Sequence, residues 1–142
     1  PDIMPTLLSL MGLPVPEGVE GMNLSHCLSG EDGPEPEAAF MMGTGAVADW
    51  EDGHEWRALR SKRYTYAIYR IDKKEFLFDN IENPYQMSNL AGDPVYKEVL
   101  DYFRELLKNK MEELNDAFEA STWYRDNWTK DRIILRTATL KG

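Results

Sequence analysis

Two histidines, one cysteine and a short run of acids are the side chains here whose types could do chemistry. His26 and His54 stand far apart in sequence, and neither has a second ligand at metal-binding spacing. His54-Glu55 lacks the second histidine that a zinc-protease helix needs. Ser25-His26-Cys27 holds nucleophile and base types, but a catalytic triad is a spatial arrangement that adjacency does not make. No glycine-rich phosphate loop occurs. Asp49, Glu51, Asp52 and Glu55 have the oxygen chemistry for calcium without EF-hand spacing, and a solvated acidic loop is the plainer reading. A lone cysteine, Cys27, excludes an intrachain disulfide and a cysteine-based zinc cage. On its own chemistry the chain does not read as a complete enzyme.

Charge is segregated along the chain. Residues 1–55 hold eleven acids and no Lys or Arg, whereas residues 57–74 hold seven bases against Asp72 alone. That basic stretch is compatible with an anion-facing surface, or with a strand pair whose solvent face pairs with nearby acids. The whole chain has 142 residues and a net charge of −9, which argues against a nucleic-acid partner. No apolar run approaches the ~18 residues of a membrane span. A hydrophobic content of 42% is enough for a packed core. The opening Pro1-Asp2-Ile3 reads as a piece cut from a longer chain or a processed product, with any targeting signal out of view.

The elements that must position these side chains follow from punctuation and periodicity. Residues 2–12 predict a short helix with Asp2 as N-cap, Pro5 in the first turn and Gly12 as left-handed stop. Its apolar positions run nearly all round, so it needs cover on more than one side. The following stretch to residue 37 is extended and Pro/Gly-rich, with one helical turn possible around Leu24, Cys27 and Leu28. Ala39–Met42 is a brief strand, and 43–53 is a polar loop around Trp50. Residues 56–61 and 64–70 read as a hairpin, with Tyr64, Tyr66 and Ile68 on one face, and 75–79 as a further strand. Asp93-Pro94 opens an amphipathic helix of about 25 residues with a stripe through Val99, Phe103, Leu107, Met111, Leu114 and Phe118. Trp123, Tyr124 and Trp128 point to a packed tail. The class is α+β: about four antiparallel strands against one long C-terminal amphipathic helix, preceded by a short helix and extended linker.

In order along the chain, four segments resemble the sulfatase family of the alkaline phosphatase-like superfamily. Asp2-Ile3-Met4-Pro5-Thr6-Leu7-Leu8-Ser9-Leu10-Met11-Gly12 is similar to D-I-x-P-T-L-L-x-L-x-G. Pro16 to Leu24 resembles P-x-G-x-x-G-x-S-L, and Trp56 to Tyr66 the W-R-A-V-R-T-x-R-Y-K-Y hairpin. Leu77 to Ala91 resembles L-Y-D-L-x-x-D-P-x-E-x-x-N-L-A. Asn83 stands for the usual Asp, Gln86 for Glu, Asn23 for Ser and Thr65 for Lys, so carboxylates that could pair with Arg57 or Arg60 are absent at those positions.

The resemblance implies a C-terminal portion. Residues 1–37 would be a helix and linker of the main domain, 38–120 the sheet-plus-helix subdomain, and 121–142 a tail. The parent would hydrolyse sulfate esters with a formylglycine and a divalent cation, calcium or magnesium, both held in the missing N-terminal catalytic domain. Cys27 is followed by Leu28-Ser29-Gly30 rather than x-P-x-R, so it is not the formylglycine precursor. The fragment alone would hold no catalytic residue and no metal, and would be inactive.

Its expected contribution is structural support and pocket lining for a sulfated small molecule or glycan, through the 43–53 loop and its exit at His54, Trp56 and Arg57. Trp56 could stack on a ring and Arg57 fork an anion. Alternatively, Trp56 belongs to the sheet core, and Arg57 or Arg60 to a structural ion pair. A phosphonate or phosphodiester hydrolase of the same superfamily, or a non-enzymatic glycan-binding or interaction module, is the rival reading. By resemblance the parent is periplasmic or secreted. A fragment would expose Ile3, Leu7, Leu8 and Leu10, inviting self-association through residues 1–24.

Overall fold

The computed structural model describes residues 2–19, 21–44, 52–130 and 133–134. The chain divides into two compact units, Pro1–Glu37 and Ala38–Gly142.

In the first unit, α1 spans Ile3–Leu10 and α2 spans Ser25–Ser29. Asp2 precedes α1 but does not cap it with its side chain. Its carboxylate instead accepts the Met22 N–H at 2.8 Å, while Thr6 Oγ1 accepts the Leu24 N–H at 2.9 Å, tying the linker back to α1. The helix stops where Gly12 takes φ +69°, with Leu13 N–H reaching Leu8 C=O and Gly12 N–H reaching Ser9 C=O. Ile3, Leu7 and Met11 remain exposed.

The second unit is built on a meander, β1 (Ala39–Thr44), β2 (Glu55–Arg60), β3 (Tyr64–Tyr69) and β4 (Glu75–Asp79), paired antiparallel in that order. Register places Phe40, Leu59, Tyr66 and Leu77 in one row across the sheet. Because side chains alternate, that row and its neighbours Tyr64 and Ile68 share the face that meets helix α3 (Lys97–Glu113). Leu100, Phe103 and Leu107 of α3 complete the core, and Phe103 meets the Tyr64 ring edge-on at 6.1 Å. Each fully buried apolar side chain of this kind contributes roughly 1.5–3 kcal/mol.

The long helix is shorter than its apolar stripe. Asp93 accepts the Val95 N–H at 3.0 Å and opens a 3-10 turn, Pro94–Tyr96, ahead of α3. At the other end Asn115 takes φ +52°, and Asp116 N–H bonds Met111 C=O at 2.8 Å, closing the helix after Glu113. Asparagine tolerates the left-handed conformation, which overrides a stripe continuing to Phe118. A second short helix, α4 (Ser121–Trp128), and the two-stranded pair β5 (Thr129–Lys130) and β6 (Ile133–Ile134) follow. No described helix is long and apolar enough to cross a membrane.

Candidate functional site

The start of β2 concentrates the polar chemistry of the second unit. Alternation along Glu55–Arg60 sends Glu55, Arg57 and Leu59 to the α3 side of the sheet, and Trp56, Ala58 and Arg60 to the other. Trp56 and Arg57 therefore face opposite ways, and the strand does not bring them together. Trp56 is half-buried and lies over Gly43, its partner on β1, where an added Cβ would sit 2.2 Å from the indole nitrogen. His54, just ahead of the strand, is exposed. Of the 43–53 loop, residues 45–51, with Asp49, Trp50 and Glu51, lie outside the described residues.

Arg57 is 0% exposed. Its Nε and Nη2 donate to the two carboxylate oxygens of Asp116, the Nη2 bond to Oδ1 being 2.9 Å. Nη2 also donates to Tyr124 Oη at 2.8 Å, and Nη1 to the Trp56 carbonyl at 3.1 Å. The Phe118 ring covers the guanidinium at 4.6 Å. Asp116 in turn accepts the Phe118 N–H at 2.9 Å and the Tyr124 hydroxyl at 3.2 Å. Burial pushes the Asp116 carboxyl up, but the Arg57 bonds and charge, with the Phe118 and Tyr124 donors, hold it below the usual range. Burial raises the Tyr124 phenol.

Beside this pair, Glu55, which the sequence grouped with a solvated acidic loop, instead opens β2 and is as fully buried, because its carboxylate meets donors from α4 and Arg70. One carboxylate oxygen accepts the Ser121 N–H at 2.9 Å, and the other accepts Gly53 N–H at 3.0 Å and Arg70 Nε at 3.2 Å. Burial opposes its ionisation, yet these donors outweigh it and lower the carboxyl. Asp52 accepts both the N–H and the hydroxyl of Thr122, at 2.9 and 2.8 Å, and the Ser121 hydroxyl donates to Thr44 C=O. Two carboxylates thus receive the first N–H groups of α4, where anions suit the helix dipole. Segment 116–124 is fastened to the head of β2 by charge-assisted bonds.

Nothing in the spacing announced Asp116, Ser121 or Tyr124 as partners of β2. The available signal was negative: a basic strand residue between apolar neighbours needs a buried acid from elsewhere. Among the described residues no group of three His, Cys, Asp or Glu could hold a metal ion. With Asp52 and Glu55 committed to α4, and Cys27 outside the C/S-x-P-x-R context, these residues fit neither a divalent cation nor a formylglycine.

No protein-family model matches the chain. An ulvan-active sulfatase from Formosa agariphila is 34% identical over 124 residues, covering 87% of this chain and 24% of its own length. A solved 2-O GAG sulfatase superposes with a TM-score of 0.70 at 26% identity, covering 90% of this chain and 26% of the other. The phosphonate monoester hydrolase of Agrobacterium radiobacter superposes at 0.54 with 25% identity, over 78% of this chain and 24% of the other. The chain spans about a quarter of the length of the curated relatives it matches.

Proposed function

This chain is a portion of a sulfatase-like protein, and from that premise we propose that it supplies the sheet-and-helix subdomain of a sulfuric ester hydrolase. The sequence match to the ulvan-active sulfatase, 34% over 87% of the chain, carries this reading. In this reading bond-breaking chemistry belongs to a catalytic domain outside the matched portion, which is about a quarter of the relatives' length. That domain would bring the formylglycine and the calcium or magnesium ion.

The contribution of this portion is mechanical and recognitive. Arg57, buried with Asp116 and Tyr124, acts as the brace that fixes the head of β2. The exposed His54 and the half-buried Trp56 then present a ring and an imidazole toward a sulfated glycan or aryl ester. In the complete enzyme, His54→Ala and Trp56→Ala should raise KM for a sulfated oligosaccharide while leaving kcat on a small aryl sulfate near wild type. Unchanged KM for both substrates would remove the pocket-lining role.

A second reading, a phosphonate monoester hydrolase, is favoured by the superposition at TM-score 0.54. Comparative turnover of aryl sulfate and phenylphosphonate by the complete enzyme separates the two.

A further inference from the structure

We infer that Arg60, Asn80 and Gln86 form a binding site for a small oxyanion, a sulfate or carboxylate group, at the β2–β3 hairpin end of the sheet. This inference stands apart from the pocket-lining reading of His54 and Trp56.

The cluster is assembled by β-sheet register. Arg60 pairs with Thr65 across β2 and β3. Asn80 directly follows β4, and the turn-rich connection after it brings back Asn83 and Gln86. Thr65 Oγ1 is the hub. It accepts from Arg60 Nη1 at 3.2 Å and from Gln86 Nε2 at 3.2 Å, and donates to Asn80 Oδ1 at 2.9 Å. Gln86 Nε2 also donates to Asn80 Oδ1 at 3.0 Å, and Gln86 holds a left-handed φ of +54°.

Donors outnumber acceptors in this network. Asn80 Nδ2 is buried and meets no acceptor among the described residues. The orientation of its amide follows from the bonds its oxygen accepts, from Thr65 and Gln86. Arg60 is exposed and takes part in no described ion pair; its described bond is to a neutral hydroxyl. The buried carboxylate just before Asn80, Asp79, is already used by Arg63 Nε at 2.9 Å and by the N–H groups of Ile81 and Glu82.

A buried donor without an acceptor is unfavourable, and the Arg60 guanidinium, bonded to the same Thr65 hydroxyl that holds Asn80, sets the sign of what relieves it. A cation is repelled, and a neutral hydroxyl adds a donor of its own. An oxyanion is all acceptor, and the planar fork of Arg60 matches it.

The test is a titration of the 142-residue chain with sodium sulfate, and separately with sodium acetate, at ionic strength held constant with chloride. Side-chain amide NMR signals of Asn80 and Gln86 should shift together and saturate. The two salts distinguish a tetrahedral from a planar anion, and saturation by either supports the site. Arg60→Ala and Arg60→Gln should each weaken binding at least about tenfold, since bonds to charged groups are the strong ones. Gln86→Glu, which keeps the shape, should abolish binding by supplying Arg60 with a carboxylate across the Thr65 hydroxyl they share. Amides that do not move with either salt would overturn the inference, as would Arg60 variants that fold as wild type and bind unchanged.

Discussion

Replacing Asp116 with alanine probes the brace at the head of β2. Arg57 is fully buried, and the substitution removes both oxygens that accept from its Nε and Nη2. It also strips the Phe118 N–H and the Tyr124 hydroxyl of an acceptor. Among the described residues the Trp56 carbonyl and the Tyr124 oxygen then still accept from the guanidinium. Removing one partner of a buried pair typically destabilises by about 3–5 kcal/mol, because the other charge is left uncompensated. Against a domain stability of about 5–15 kcal/mol that is a large fraction. Urea denaturation followed by tryptophan fluorescence and far-UV circular dichroism should show a lower midpoint with unchanged slope. As a control, Glu113→Ala removes an exposed partner of Lys110 and should change stability by no more than about 0.5 kcal/mol. A loss below about 1 kcal/mol for Asp116→Ala would refute the reasoning that the pair is desolvated and braces β2.

Three further outcomes follow from the same geometry. Gly43→Ala drives a Cβ into the Trp56 indole and should destabilise by about 1–3 kcal/mol, with a shifted tryptophan emission maximum; wild-type emission and stability would show the ring free to move. Asp116 and Glu55 both have lowered carboxyls, so their contribution is present above the unfolded values of about 3.9 and 4.3 and is lost as pH falls through them toward the folded values. The urea midpoint should therefore hold from neutral pH to about 5 and drop below about 4, and less so in Asp116→Asn; a flat acid limb in wild type would contradict this. Sedimentation of the chain should show self-association that Leu7→Glu abolishes, since Ile3, Leu7 and Met11 are exposed on α1; a monodisperse wild-type monomer would contradict this.

Local signals carried much of the fold. Alternation in Tyr64-Thr65-Tyr66-Ala67-Ile68 identified the inward face of β3, and Asp93-Pro94 marked where the helical segment begins. Gly12 announced the end of α1 because only a left-handed residue closes it there. Boundaries set by competing local chemistry were less legible. The periodicity that continues to Phe118 conceals the stop at Asn115, and Asp2 gives its carboxylate to Met22 instead of the helix end. Long-range polar pairing was the least legible. Glu55 reads as one more acid in an acidic stretch, and Arg57 as one more base in a basic one. Their burial follows from segment 116–124 returning to β2, which no spacing encodes. The departures at Asn83 and Gln86 were visible in the sequence, but the Asn80 amide donor left without an acceptor required coordinates.

The reading of this chain as a supporting portion, with bond-breaking done elsewhere, is tested most directly by turnover. Purified 142-residue chain, folded by circular dichroism and supplied with calcium or magnesium, should release no sulfate from 4-nitrophenyl sulfate or a sulfated oligosaccharide above the no-protein rate. Sustained sulfate release that scales with the concentration of this polypeptide would contradict the account.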